Sequence, residues 1–510
     1  MKNQIKSPGD ANERSAGILL HITSLPSRFG VGDIGPAAFA FADFLAEAKQ
    51  NYWQLLPLSP TGKAQQYSPY SASSSMAGNT LLISPELLAF DGLLSITDLK
   101  NSEIRNTGKC DYRYAEKIRK KLFHKAFKSF QKQSSDMAKD FEVYKEREAM
   151  WLTDFALFEV LKNKNGSKPW YEWDKEEMQR KPAAMSRASN KFSAKIEQIK
   201  WLQFIFDRQW SSLKTYCTEK EISLFGDLPF YVSHDSVDVW ANKDFFAVDE
   251  KGKLKGVAGV PPDYFNADGQ LWGMPVFDWD ALEKQNFKWW IDRLRKNIEL
   301  FDIVRLDHFR AFADYWEVPA SERTAKNGSW KRGPGSPFFK SVRDQLGYLP
   351  FVAEDLGDIN DAVHKLRQQF NFPGMKILQF AFGGDFPMSG YLPHNYTSNF
   401  VAYTGTHDNN TTKGWYRKDL SKIERNNIND YLGKKVDATN VSLELIRIAY
   451  GSVARSVIVP MQDVLNLNES ARMNTPASVK NNWLWRMKSK EMPEQAGHVL
   501  RTLSELYDRA

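Results

Sequence analysis

The chain is poor in cysteine, and its charge is nearly balanced. Its 510 residues include only Cys110 and Cys217, and the net charge of +7 is the small difference between 69 basic and 62 acidic residues. Two distant thiols cannot build a disulfide framework or a CxxC metal site, and they are typical of a reducing compartment. The basic residues at 117–145 and 162–200 are interleaved with acids and aromatics, which indicates solvated helix faces and no nucleic-acid partner.

Long hydrophobic runs are also missing. The longest apolar stretches, such as residues 17–20 and 55–58, are far too short to cross a membrane. Residues 1–16 contain acids and no apolar core of a signal peptide, so we interpret them as an N-terminal tail. The sequence therefore predicts a soluble cytoplasmic protein with no membrane partner.

Eight short apolar runs end in polar residues, and helical patterns such as 36–48, 289–300 and 359–370 separate several of them. Continuous apolar runs are typical of parallel strands that are buried on both faces. Eight such strands alternating with helices favour an α/β fold of the (β/α)8 type, a TIM barrel, over an open sheet. The eight runs are residues 17–23, 52–58, 222–232, 303–308, 350–355, 375–382, 400–408 and 456–463.

The spacing of these runs predicts the domain organisation. Residues 17–510 would form the barrel, and the gap between the second and third runs is too long for one βα unit. Helical patterns in that gap predict a largely helical inserted subdomain at about 85–215. A stretch rich in Gly, Pro and Asp predicts an active-site loop excursion at about 240–280. The residues after the eighth run read as helical, so no C-terminal β domain is expected.

Charged residues follow four of the predicted strands. The carboxyl ends of barrel strands converge on one face, so these side chains are candidates for an active site. A single acid there is more often a helix cap or an ion-pair partner, but acids on four strand ends favour catalysis. Paired carboxyl groups suit glycosidic bonds, because one can attack the anomeric carbon while the other protonates the leaving oxygen. The strand-end residues are Asp227, Arg305, Asp307, His308, Glu354, Asp355, His407 and Asp408.

A set of motifs from residue 17 to about residue 486 resembles the amylomaltases of glycoside hydrolase family 77. The motifs are GILLHITSLPSRFGVGDIG, YWQLLPLSPTG, SPYS, GDLPFYVSHDSVDVW, GVPPDYFNADGQLWGMPVFDW, FDIVRLDHFRAF, FVAEDLG, YTGTHDNNT, RMNTP and NNWLWR. The resemblance covers essentially the whole chain. It implies a 4-α-glucanotransferase that moves α-1,4-glucan segments to the 4-OH of glucose or of another glucan with retention of configuration.

The resemblance also implies roles for single residues. Asp307 corresponds to the nucleophile, Glu354 to the general acid/base and Asp408 to the transition-state stabiliser. Arg305 lies two residues before Asp307, so on a strand both side chains point to one face. The substrate contacts that the resemblance implies are Tyr70, Asp227, Tyr264, Phe265, Gln270, Trp272, Arg305, His308, His407 and Asn474.

The expected partners are maltooligosaccharides and α-1,4-glucans, with no metal and no organic cofactor, since no cluster in the sequence has metal-ligand spacing. Two other interpretations stay open at this point. The same carboxylate triad could serve an α-1,4-glucan hydrolase, and a barrel that has lost activity could still bind glucan. Phe265 could equally contact the acceptor or only pack its own loop. Product analysis with maltotriose separates transfer from hydrolysis.

Overall fold

The computed structural model describes residues 14–133, 136–262, 267–478, 480–488 and 494–510. Within them, twelve strands form two sheets. The strands are β1 Ser15–Leu19, β2 Tyr52–Gln54, β3 Ser223–Leu228, β4 Gly256–Val260, β5 Gln270–Pro275, β6 Ile303–Leu306, β7 Asp314–Pro319, β8 Ser329–Arg332, β9 Phe351–Ala353, β10 Gly374–Ile377, β11 Phe400–Tyr403 and β12 Ser456–Pro460.

Eight of these strands form the barrel, and each is parallel to its neighbours. Their order in the sheet is β10-β11-β12-β1-β2-β3-β6-β9. The backbone N–H of Ala353 at the end of β9 donates to the carbonyl of Pro373, just before β10, at 2.8 Å, which joins the two edges. The predicted (β/α)8 barrel is therefore confirmed, and each of the eight apolar runs contributes one strand.

The barrel strands are mostly apolar and buried because both of their faces are covered. Every residue of β1 and β12 is buried. Gly17 of β1 is needed for a close approach, since a Cβ atom there would lie 2.5 Å from the backbone oxygen of Tyr52 in β2. The observed strands are shorter than the predicted runs, mainly at their carboxyl ends. After β3, for example, Phe230 and Tyr231 are still buried but belong to a loop that packs over the barrel mouth.

Nineteen α-helices lie in the described part of the chain, and α2 to α9 all fall between β2 and β3. They are α1 Pro36–Glu47, α2 Pro85–Phe90, α3 Ile96–Lys100, α4 Tyr112–Phe130, α5 Asp136–Arg147, α6 Ala149–Lys164, α7 Lys175–Met178, α8 Pro182–Lys191, α9 Ser193–Glu219, α10 Val237–Ala241, α11 Trp279–Lys284, α12 Lys288–Leu300, α13 Gly335–Leu346, α14 Asp361–Gln369, α15 Thr412–Lys418, α16 Lys422–Leu432, α17 Val441–Gly451, α18 Met461–Val464 and α19 Glu494–Leu506. None of the helices in the described ranges is long and apolar enough to span a membrane.

The helices between β2 and β3 share one hydrophobic core with the barrel. Trp201 and Trp210 of the long helix α9 are fully buried in the same cluster as the barrel strands. The tail at 1–16, the subdomain at 85–215 and the excursion at 240–280 stay predictions as domain boundaries.

A second sheet takes two strands, β4 and β5, from the predicted excursion at about 240–280 and two, β7 and β8, from residues after β6 where the sequence predicted no strand. It is antiparallel, with the order β5-β4-β7-β8. Its strands β7 and β8 mix polar and apolar residues, and β8 is exposed along its whole length. Such strands lack the continuous apolar runs that identified the barrel. The sheet brings Trp272 of β5 against the ring of His308, 4.9 Å between centroids, at the barrel mouth.

Candidate active site

The barrel brings together the acids that the sequence placed at strand ends. Asp227 is the fifth residue of β3, Asp307 directly follows β6, and Glu354 directly follows β9. These three strands are neighbours in the sheet, so the three carboxyl groups belong to one side of the mouth. Asp408 lies in the loop after β11, which is separated from β9 by the single strand β10.

Arg305 links two of these carboxylates. Its Nη1 donates to both oxygens of Asp227, at 2.8 and 2.9 Å, and lies 2.9 Å from Oδ1 of Asp307. Arg305 and Asp227 are both buried. Burial lowers the pKa of Arg305, but the charges of Asp227 and Asp307 outweigh it and hold the pKa well above its usual value. This permanent cation stabilises the negative charge of Asp307.

The buried carboxyl of Asp227 also holds Tyr70. The phenol Oη donates to Oδ2 of Asp227 at 2.6 Å. The ring of Tyr70 stacks on His407 with centroids 5.0 Å apart and lies 5.9 Å from the ring of Trp483. Burial, and then the nearby negative charge of Asp227, raise the pKa of Tyr70 well above its usual value, so the hydroxyl stays a donor. Three segments far apart in sequence thus build one aromatic surface.

Glu354 has the environment of an acid that can keep its proton. Two backbone N–H groups hold its carboxyl: His308 donates to Oε2 at 2.8 Å and Leu356 to Oε1 at 3.2 Å. Burial raises the pKa of Glu354 to about 7, Arg305 opposes this, and the charge of Asp307 adds to it. Close to neutral pH this group can therefore donate a proton and take it back.

His308 occupies a strained position next to Asp307. Its φ of +51° lies in the left-handed region, which non-glycine residues rarely adopt. In this conformation its backbone N–H points at the carboxyl of Glu354. Its ring packs against that of Trp272 and lies 6.2 Å, between centroids, from that of Tyr231. Burial lowers the pKa of His308 to about 4, so its imidazole is neutral and can hydrogen-bond a hydroxyl group.

Asp408 is the most accessible of the four acids. Its side chain is 45% exposed, and its Oδ1 accepts a hydrogen bond from Nδ2 of Asn474 at 2.6 Å. Nε2 of the buried His407 lies 3.4 Å from the same oxygen. Arg472 donates to the backbone oxygen of Asp408 at 2.8 Å. The carboxylate is thus held on one side and open to a ligand on the other.

The predicted substrate contacts that lie in the described residues fall into two groups. Tyr70, Asp227, Arg305, His308, His407 and Asn474 each contact one of the acids or one another, as described above. Gln270 and Trp272 lie on β5 and are partly exposed, and Nε1 of Trp272 donates to Oε1 of Gln270 at 3.2 Å. Tyr264 and Phe265 lie outside the described residues.

Sequence reasoning missed some residues of the mouth. Trp483, in the motif NNWLWR, contacts the ring of Tyr70, and Tyr231, after β3, contacts that of His308. Both partners are predicted substrate-binding residues. His21, two residues after β1, is buried beside His407, and burial together with that neighbour lowers its pKa to about 3. Its place after a strand end was the signal that could have found it.

Asp355, in contrast, serves the fold. Its Oδ1 accepts from the N–H of Met375 in β10 at 2.7 Å, and Arg367 lies 3.2 Å from its other oxygen. It therefore ties β9 to β10. No cluster of three or more His, Cys, Asp or Glu side chains among the described residues has a geometry that could hold a metal ion.

A (β/α)8 barrel with carboxyl groups on adjacent strand ends is an architecture of enzymes that break glycosidic bonds. A family model for glycoside hydrolase family 77, described as 4-alpha-glucanotransferase, matches residues 20–492. The chain belongs to this family.

Curated relatives and a solved structure agree with this membership. The chain is 44% identical to a 4-alpha-glucanotransferase of Synechocystis over 503 residues, which cover 98% of each chain. It is also 44% identical to one of Aquifex aeolicus over 496 residues, 97% of this chain and 99% of the relative. The structure of amylomaltase from Streptococcus agalactiae in complex with acarbose superposes with a TM-score of 0.94 at 38% identity, covering 98% of this chain and all of that one.

Proposed function

We propose that the protein is a retaining 4-α-glucanotransferase that transfers α-1,4-glucan segments to the 4-OH of glucose or of another glucan. The observation that carries this proposal is the contrast between two neighbouring carboxyl groups. Asp307 lies 2.9 Å from the Arg305 cation, whereas burial raises the pKa of Glu354 to about 7. One group is suited to attack as an anion and the other to deliver a proton. The full-length similarity to named 4-alpha-glucanotransferases supports the same activity.

In the first step, Asp307 attacks C1 of a glucose unit and displaces the oxygen that was bonded to it. Glu354 gives its proton to this leaving oxygen, which departs as the 4-OH of the released glucan. The product is a glycosyl ester on Asp307 and an ionised Glu354. The ion pair with Arg305 keeps the Asp307 carboxylate available for the attack.

In the second step, Glu354 takes a proton from the 4-OH of an acceptor glucan, and this oxygen attacks C1 and frees Asp307. Two inversions at C1 give net retention and a new α-1,4 bond. A pKa of Glu354 near 7 suits both directions of proton transfer at neutral pH.

The remaining residues of the mouth fit contacts with the reacting sugar. Asp408, half exposed and held by Asn474, is suited to grip sugar hydroxyl groups. The neutral imidazole of His308 can bind another hydroxyl. Tyr70, fixed by Asp227, offers an aromatic ring for stacking on a pyranose face.

Transfer requires that an acceptor sugar reaches the ester before water does. Gln270 and Trp272, on the sheet that packs against His308, are suited to bind this acceptor. Tyr264 and Phe265 precede them in the sequence and belong to the same proposal. Removal of one stacking ring costs about 1 kcal/mol of acceptor binding, so Phe265→Ala should increase the hydrolysed fraction several-fold.

Incubation of the purified protein with maltotriose tests the function. We expect glucose and longer maltodextrins, with a constant number of reducing ends and an α configuration in the new bonds. A steady rise in reducing ends would identify a hydrolase, and binding without turnover would identify a glucan-binding protein.

Asp307→Asn should remove nearly all turnover, about 10³-fold or more, because the nucleophile is lost at unchanged volume. Asp302→Asn is the matched control: Asp302 precedes the same strand β6 at the opposite end of the barrel, where it accepts from the N–H of Leu224 at 2.8 Å. Equal activity loss in the two variants would contradict the assignment of Asp307.

A further inference from the structure

Arg310 is a buried cation in the loop after Asp307 for which the reaction above has no use. Only 8% of it is exposed, and it lies between the nucleophile and the antiparallel sheet. Its contacts reach the loop that carries Glu354 on one side and that sheet on the other.

On the side of Glu354, Arg310 and Asp314 hold the residues that follow the acid/base. Nη1 of Arg310 donates to the backbone oxygen of Asp358, and its Nη2 and Nε donate to Oδ1 of Asp314 at 2.7 and 3.1 Å. Oδ2 of Asp314 accepts from Nδ2 of Asn360 at 2.5 Å. The segment 358–360 is therefore tied at both of its ends to this ion pair.

On the other side, the guanidinium of Arg310 lies over the ring of Trp330 in β8, 4.0 Å from Cζ to the ring centroid. Trp330 is paired across the strands with Trp316 of β7, and their rings are 5.2 Å apart. β7 pairs with β4, and β4 pairs with β5, which carries Trp272 against His308. The same side chain thus contacts the acid/base loop and the sheet on the proposed acceptor side.

We propose that Arg310 is a positioning residue that holds the Glu354 loop against the antiparallel sheet and so aims the acid/base carboxyl at the glycosidic oxygen. This inference rests on the proposed function and assigns a further residue to it. One of the two N–H groups that fix Glu354 belongs to Leu356, two residues before the segment that Arg310 ties down, and the other belongs to His308, two residues before Arg310. If the segment shifts, one of these two donors moves relative to the other and the carboxyl turns.

The arrangement needs arginine and not simply a positive charge. The planar guanidinium donates in three directions within its plane while its face covers the indole ring. A lysine can keep the ion pair with Asp314, but it cannot also reach the Asp358 carbonyl and stack on Trp330. Arg310→Lys should therefore be intermediate between the wild type and Arg310→Met.

Two donors with different leaving groups separate positioning of the acid from general damage. Maltotriose releases a sugar hydroxyl, whose departure requires the proton from Glu354, whereas α-maltosyl fluoride releases fluoride, which needs little protonation. General acid catalysis is worth about 10²- to 10⁴-fold, and misplacement by about 1 Å can cost about 10²-fold. Because Glu354 also acts as the base of the second step, the two donors are compared on the first step alone, as the rate of leaving-group release in a single turnover. We expect Arg310→Met to lower this rate with maltotriose by about 30-fold or more and with the fluoride by about threefold or less.

The matched control is Arg180→Met in the helical insertion. Arg180 combines the same two interactions, since it lies 4.5 Å from the ring centroid of Trp240 and donates to both oxygens of Asp154 at 2.8 and 2.9 Å. Neither partner belongs to a loop that carries one of the proposed catalytic acids. The control should leave the ratio of the two first-step rates at the wild-type level. If Arg180→Met changes this ratio as much as Arg310→Met does, positioning by Arg310 is refuted.

Asn360→Ser provides a second variant in case Arg310→Met does not fold. Serine can still cap α14, where the Asn360 side chain accepts from the N–H of Val363, but it loses the donor to Asp314. We expect a loss of about three- to fivefold with maltotriose and none with the fluoride. Equal losses with both donors, or no loss with either, would overturn the inference. A wild-type protein that forms no transfer products from either donor would instead refute the proposed function.

Discussion

Replacement of Glu354 by glutamine should make the stability of the protein less dependent on pH. Burial raises the pKa of Glu354 from 4.5 to about 7, so the folded state binds this proton more tightly than the unfolded chain. The resulting stabilisation is fully present below about pH 4.5 and is lost as the pH rises through about 7. The wild type should therefore lose stability over this window, whereas the Glu354→Gln variant has no proton to lose there.

The pKa values set the size of the effect. One pKa unit corresponds to about 1.4 kcal/mol, so the window from 4.5 to about 7 gives at most about 3.5 kcal/mol. Glutamine offers one acceptor oxygen to the two N–H groups of His308 and Leu356, which costs about 1–3 kcal/mol at every pH. The stability of the variant thus reflects both the lost titration and the lost acceptor. The difference in stability between variant and wild type changes with pH only through the titration.

Thermal unfolding of both proteins between pH 4 and pH 8 measures this change. For 510 residues the unfolding entropy is about 1 kcal/mol per degree, so the difference in Tm should move by about 2–3 °C in favour of the variant as the pH rises. Glu505→Gln is the control, because Glu505 is exposed on α19. Parallel Tm curves for Glu354→Gln and the wild type would refute the argument that burial keeps this carboxyl protonated.

Three further predictions concern neighbours of the acids. Arg305→Met should destabilise the protein by about 3–5 kcal/mol in urea unfolding, because it leaves the carboxyl of Asp227 buried without its cation; a loss below about 1 kcal/mol would contradict this. Asn474→Ala removes the hydrogen bond that orients Asp408 and should lower kcat about tenfold with KM little changed; a purely KM effect would argue for sugar binding by Asn474 itself. Trp272→Ala should raise the KM for added glucose acceptor several-fold while the rate with α-maltosyl fluoride and water stays within about twofold; equal changes would show that the ring only supports His308.

The barrel and the residue types at its mouth could be predicted from the sequence because both depend on local patterns. Buried parallel strands require continuous apolar runs, and all eight runs became barrel strands in sequential order. The polar residue that ends such a run marks the mouth of the barrel. Asp227, Asp307, Glu354 and Asp408 were found in this way before any contact was known.

The antiparallel sheet was not predictable in the same way. Its strands β7 and β8 mix polar with apolar residues, and β8 is wholly exposed, so they carry no continuous apolar signal. They form a sheet because β4, which precedes them in the chain, offers an edge to β7, and β7 in turn offers an edge to β8. This pairing joins segments that lie before and after β6 in the chain, so no local stretch of sequence contains the signal for it.

The sequence by itself determined the barrel, the order of its strands and the acids at their ends, since apolar periodicity and strand-end position are properties of contiguous residues. Only the tertiary structure decided what each acid does. Glu354 and Asp355 are adjacent in the chain, yet one faces the mouth and keeps its proton near pH 7, while the other ties β9 to β10. Burial raises the pKa of both carboxyl groups, so their difference comes from their partners: the charges of Arg305 and Asp307 act on Glu354, whereas Asp355 accepts from Met375 and pairs with Arg367. Desolvation and Coulomb energy depend on distances that exist only after the chain has folded.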